Sequence, residues 1–194
     1  MIISNSKQLV LIDTIFPLPG SKVLEVLREI VLVLSFSLLT ALSAKLKIEI
    51  GAVPVTLQTL AVLLSGALLG SKKGALSQLS YLFLGLAGLP LFARGGGIGY
   101  ILSPTFGYLL GFVLAAFFVG WFCEAGFDRK IKTALIAMLI GNIVIYVPGL
   151  LWLSKFVGFE KALSVGLYPF IIGDLLKIII AGLLLPIGWK IFKK

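Results

Sequence analysis

The sequence predicts an all-α, polytopic membrane protein with six transmembrane helices, and three observations lead there. Hydrophobic residues make up 59% of the 194-residue chain and charged residues only 13%, more apolar surface than a water-soluble fold can cover. The apolar residues fall into long runs separated by short gaps, and runs of 16 to 28 residues suit a hydrocarbon core about 30 Å thick once tilt and kinks are allowed. Finally, the positive charges alternate between those gaps, as they do in chains that thread a bilayer.

Residues 1–20 read as an interfacial N-terminal segment, because Leu9–Ile12 is too short to span and Pro17, Pro19 and Gly20 form turns. Residues 21–194 then form one six-helix substrate-binding domain. Ser21 is a plausible N-cap for the first span, whose wet first turns carry Glu25, Arg28 and Glu29 before the run Ile30 to Ala44. Leu42-Ser43-Ala44 resembles a leader cleavage site, but everything after it is also apolar, so a retained anchor is expected.

After a loop from Lys45 to Pro54, the second span opens at Pro54 to Thr56 and runs to about Leu69, with Gly66 and Gly70 as a small-residue packing face. The third runs from Gly74 to Leu89 and stops at Pro90. A glycine-rich loop, Arg94-Gly95-Gly96-Gly97-Ile98-Gly99-Tyr100, leads through Ser103-Pro104-Thr105 into the fourth span, which ends near Phe122. The fifth, about Ile131 to Leu153, holds Asn142, Tyr146 and a kinking Pro148; the sixth runs from near Lys161 to near Lys190 through Pro169, Asp174, Lys177 and Pro186.

Eleven lysines and arginines fall in the N- and C-terminal segments and the second and fourth loops, against five in the first, third and fifth. The positive-inside rule therefore expects a multi-pass cell-membrane protein with both termini cytoplasmic and the Arg94 loop outside. The net charge of +9 is dispersed through these gaps, which argues against nucleic acid as a partner. The chain has no histidine and a single cysteine, Cys123, so there is no intrachain disulfide, and no metal site or cofactor is expected.

The candidate site residues are polar groups placed where they are expensive. Asp174 and Lys177 each cost about 2.5–3.5 kcal/mol at a helix centre, and their i, i+3 spacing lets them neutralise each other on one face. Read structurally, they are a self-contained ion pair; read functionally, they point into a cavity. Asn142 is interhelical glue or a ligand contact, and Gln58 is an interfacial amide or a cavity group. Tyr81, Tyr100 and Tyr146 offer flat apolar faces with a hydroxyl. The glycine loop, Gly97 included, lets backbone amides approach a ligand, and Arg94 adds a planar cation. Together they suit a small, mostly apolar ligand with a carboxylate at one end and amide-like groups elsewhere. An intramembrane lipid-modifying enzyme is the alternative, against which stand the missing histidine, the lone cysteine and the lack of a carboxylate pair. A purely structural subunit is a third reading.

Several separated stretches resemble the BioY family, the biotin-specific S-components of energy-coupling factor (ECF) transporters: Val53-Pro54-Val55-Thr56-Leu57-Gln58-Thr59-Leu60, Gly85 to Ala93, Gly95 to Tyr108, Gly141-Asn142 with Tyr146, and Gly173-Asp174 with Lys177. The resemblance implies an S-component-like bundle of six helices in membrane lipid that captures biotin outside the cell as a transported ligand rather than a cofactor. It also implies three partner chains, a transmembrane coupling subunit and two ATP-binding cassette ATPases. The chain has no Gly-Lys dipeptide, hence no Walker A loop, so ATP is hydrolysed elsewhere. By the same resemblance, Ser37 and Ala41 on the first span are the nearest match to the family's docking face. Arg94 is the first choice for the biotin carboxylate, with Lys177 as the alternative, and Asp174 and Asn142 suit the ureido ring.

Overall fold

The structure, a computed structural model, describes residues 10–49 and 51–192. Lys7, Lys193 and Lys194, three of the eleven basic residues counted above, lie outside the described residues, as does Leu9. The chain begins with a short helix α1 (Leu11–Ile15) and the long helix α2 (Lys22–Lys45). An antiparallel hairpin follows, β1 (Lys47–Ile48) against β2 (Val55–Thr56), with Lys47 opposite Thr56. Then come α3 (Gln58–Leu69), α4 (Ser71–Leu86), α5 (Phe106–Glu124), α6 (Ile131–Val157), α7 (Phe159–Gly166) and α8 (Ile171–Phe192). Short 3₁₀ turns sit at Ile98–Leu102, Phe127–Arg129 and Tyr168–Phe170.

The helical membrane bundle is as expected, but the count of six spans needs correction. Among the described residues, four runs are long and apolar enough to cross a bilayer: Lys22–Lys45, Phe106–Glu124, Ile131–Val157, and Phe159–Phe192, which takes in α7, a 3₁₀ turn and α8. At about 1.5 Å per residue, α3 spans about 18 Å and α4 about 24 Å, both short of the hydrocarbon core. The cause lies at each end of α3. The hairpin takes up Val55 and Thr56, which the sequence reading gave to the helix, and Gly70 at φ +85° turns the chain directly into α4.

Small residues set the close contacts between neighbouring helices. A Cβ on Gly66 of α3 would stand 2.4 Å from the Ala116 carbonyl oxygen of α5, and one on Gly120 of α5 would stand 2.3 Å from the Ser71 nitrogen of α4. Glu124, at the end of α5, completes the α4 start by accepting from the Ser71 amide at 2.7 Å and from its hydroxyl at 2.9 Å, satisfying donors that open every helix. Ser21 does precede α2, but its side chain makes no cap bond. Val10, Leu11 and Ile12 are buried, and Leu11 lies against Gly188 of α8.

The expected sixth span is broken. Pro148 stays within α6 and packs beside Gly111 of α5, whereas Pro169 lies in a 3₁₀ turn that separates α7 from α8. Asp174 therefore stands in the first turn of α8 rather than deep in a continuous helix. There the positive end of the helix dipole favours a carboxylate by about 0.3–1 kcal/mol.

The small-residue pair on α2 is also placed differently from the docking expectation. Ser37 and Ala41 are 2% and 4% exposed within this chain, while Leu34, Leu38 and Leu42 face outward. A helix packed on α4 and α3 turns its small residues inward, where backbones approach closely.

Candidate ligand-binding site

At the end of the bundle that carries the hairpin and the glycine loop lies a narrow cavity, with about 560 Å³ of empty space when the open solvent at its mouth is counted. Its walls come from five elements. The hairpin supplies Val53, Pro54 and Thr56; the start of α3, Gln58 and Thr59; the start of α5, Tyr108 and Phe112; α6, Ile145 and Tyr146; and the start of α8, Asp174 and Lys177. Ala93, Tyr100 and Thr105 close it from the loop between α4 and α5, and Phe170 from the α7–α8 break. The break immediately precedes the turns of α8 that carry Asp174 and Lys177.

Those two side chains form a buried ion pair at 2.8 Å, held by a shell of further bonds. Lys177 Nζ donates to the Thr56 carbonyl at 2.7 Å, to Thr59 Oγ1 at 3.0 Å and to Asp174, which uses all three of its hydrogens. Asp174 Oδ1 accepts from Thr59 at 3.1 Å as well as from Lys177. Its Oδ2 accepts from Asn142 at 3.2 Å and from Tyr146 at 2.5 Å. The pair is thus not self-contained: it bonds to three other elements and lines the cavity. A ligand reaches it by exchanging one of these bonds. The Asn142 amide must turn its nitrogen to the carboxylate, which leaves its buried Oδ1 without a partner among the described residues. Asn142 itself lines a second cleft between α6 and α8, on the other side of Asp174.

Gln58 lines the cavity with its amide fixed at both ends, donating to Tyr81 Oη at 2.7 Å and accepting from Thr56 at 3.2 Å. Tyr81 is 1% exposed and stands behind Gln58, edge-on to Phe92, rather than in the wall. Tyr100 is in the wall, where its hydroxyl accepts from Thr105 at 3.1 Å.

The glycine loop and Arg94 act at the mouth. The Gly97 amide donates to the Gly85 carbonyl at 2.7 Å, and a Cβ on Gly96 would stand 2.0 Å from the Leu89 oxygen, so the loop folds back on the end of α4. Neither Gly97 nor Arg94 lines the cavity. Arg94 reaches across to the hairpin, bonding Glu49 at 2.6 Å and the carbonyls of Gly51 and Ala52 at 2.8 and 3.0 Å. Lys45 and Lys47 reach the other way, to the carbonyls of Pro90, Phe92 and Ala93. Hydrogen bonds from Arg94 and then Lys47 hold the Glu49 carboxyl down at about 2, and Glu49 in turn raises the Arg94 guanidinium above its ordinary value.

Of the sequence candidates, Gln58, Tyr100, Tyr146, Asp174 and Lys177 line one cavity, and Asn142 and Tyr81 bond to its wall groups. Sequence reading passed over Thr56, Thr59, Tyr108, Phe112 and Phe170. Thr56 and Thr59 flank Gln58 at i, i+3 spacing inside a quoted motif, which was a usable signal. The aromatic walls carried none, because apolar rings in an apolar chain are the background.

A sequence model described as the BioY family matches residues 14–194. The chain is 44% identical over 151 residues to a protein named probable biotin transporter BioY from Pyrococcus horikoshii, covering 77% of this chain and 89% of that one. It is 38% identical over 160 residues to the biotin transporter BioY of Thermotoga maritima, covering 81% and 94%. Among solved structures it is similar to the S-component for biotin from an ECF-type ABC transporter, with a TM-score of 0.76 and 25% identity, over 91% of this chain and all of that one. The family match over nearly the whole length and the likeness of the fold agree: the chain belongs to the BioY family.

Proposed function

We propose that this chain is the biotin-binding membrane subunit of an ECF-type ABC importer and is not itself an enzyme. The observation that carries the reading is the buried Asp174–Lys177 pair in the wall of a cavity roofed by two bonded loops, in a chain of this family. A ureido ring has two N–H donors and one carbonyl. Asp174 accepts from the donors in place of a present partner, and Lys177 or the Asn142 amide donates to the carbonyl. Tyr100, Tyr108, Phe112 and Phe170 pack on the fused rings and alkyl chain. Arg94 takes the valerate carboxylate by exchanging Glu49 for it, a bidentate match of planar groups; Lys177 is the alternative partner.

In this reading the cavity opens outside the cell and both termini are cytoplasmic. A transmembrane coupling subunit docks in the bilayer, and two ATPases supply the energy that this chain cannot. Calorimetric titration of the purified chain with biotin, desthiobiotin and biotin methyl ester tests it. Saturable biotin binding is expected, with the ester weakened at least tenfold by loss of the charge-assisted contact. A chain that binds none of the three overturns the reading.

A further inference from the structure

We propose that Tyr108 is a positioning residue for the ligand: it fixes the α7–α8 break that turns Asp174 and Lys177 into the cavity wall. This rests on the biotin-binding reading above. In an uninterrupted helix the Phe170 amide would bond the Gly166 carbonyl, and Pro169 has no N–H to offer Val165. Here the Phe170 amide bonds the Leu167 carbonyl instead, at 3.0 Å, which deprives Gly166 of its helical donor. The Tyr108 hydroxyl replaces that donor, reaching the Gly166 carbonyl at 2.8 Å.

The ring has one place to sit. A Cβ on Gly149 would stand 2.4 Å from a Tyr108 ring carbon, and one on Gly166 would stand 2.5 Å from its hydroxyl. Tyr108 lies edge-on to Tyr146 with centroids 6.1 Å apart, and Tyr146 donates to Asp174. The side chain therefore touches the ion pair's support from two directions, through the break and through Tyr146.

The break sets the rotational phase of α8. Three residues at about 120° each, rather than about 100°, advance the following helix by about 60°. Without the Tyr108 hydroxyl, the buried Gly166 carbonyl draws the Phe170 amide back, and Asp174 and Lys177 rotate away from Thr56, Thr59 and Tyr146.

The test uses the full chain in detergent, with biotin titration and thermal melting. Tyr108→Phe keeps the ring and is expected to bind biotin about tenfold more weakly at an unchanged melting temperature. Combined with Thr59→Ala, which loosens the same pair, it should lose clearly less than the product of the two single losses. Wild-type affinity in Tyr108→Phe overturns the inference. So do losses that multiply, and so does a loss that follows a lowered melting temperature. If Tyr108→Phe does not fold, Gly166→Ala displaces the hydroxyl from the other side and is read in the same way; failure of both to fold overturns it in favour of a purely structural tyrosine. A wild-type chain that binds no biotin overturns the functional reading together with this one, whereas a binding wild type beside an equally binding Tyr108→Phe overturns this one alone.

Discussion

Asp174 receives four hydrogen bonds and Lys177 gives three, all from groups on α3, α6, α8 and the hairpin. Removing one partner leaves a buried charge uncompensated, at about 3–5 kcal/mol, while replacing both by apolar residues of similar volume is often neutral. Lys177→Met is therefore expected to lower the melting temperature and abolish measurable biotin binding. The double variant Asp174→Leu, Lys177→Met should regain the melting temperature without regaining the ligand. Melting curves paired with titrations check this, and a double variant as unstable as the single one would contradict it. Both charges were legible in the sequence, because an ionisable residue in an apolar span needs a reason. The threonines that complete the site were legible only by position. A hydroxyl in an apolar helix is cheap, since it bonds its own backbone as Thr40 does with the Phe36 carbonyl, so residue type does not separate Thr59 from Thr40; only its place beside Gln58 does.

At the scale of elements, the hairpin and the glycine loop form a roof joined by Lys45, Lys47 and Arg94, each reaching carbonyls on the opposite loop. Glu49 sits at the centre of this join, with its pKa depressed from 4.5 to about 2. A depressed carboxyl contributes stability that is fully present above about 4.5 and is lost as the pH falls through about 2. Between pH 5 and 8 this join is therefore constant, and because it is exposed it weakens with salt. Because the biotin carboxylate displaces Glu49 from Arg94 in the reading above, Glu49→Gln is expected to tighten biotin binding severalfold at any pH in that range, as read by titration. Unchanged affinity would show that Arg94 does not exchange Glu49 for the ligand. The loops were visible as turn-rich stretches, and Arg94 as the one cation of its loop. Its use as a strap was hidden, because Glu49 lies 45 residues away. Likewise, two prolines inside apolar runs looked alike; only the neighbouring contacts let Pro148 stay in a helix while Pro169 sits in a break.

For the whole molecule, the alternation of positive loops predicts sidedness, and the buried Cys123 makes this testable with single cysteines. In a Cys123→Ala background, Lys161→Cys should react with an impermeant maleimide on intact cells, and Lys72→Cys only after permeabilisation. The reverse pattern would invert the topology and put the cavity mouth inside. The order of residues by itself determined the membrane class, the helical architecture, the lack of a Walker A motif and the two costly charges. These follow from how much apolar surface must be covered and from what a bilayer forbids. Tertiary structure alone decided which spans are full length, that Ser37 and Ala41 turn inward, that Arg94 straps two loops, and that α8 begins one turn before Asp174. Each of those depends on which distant backbone or side chain supplies a hydrogen-bond partner or denies room for one, and a linear sequence does not carry that information.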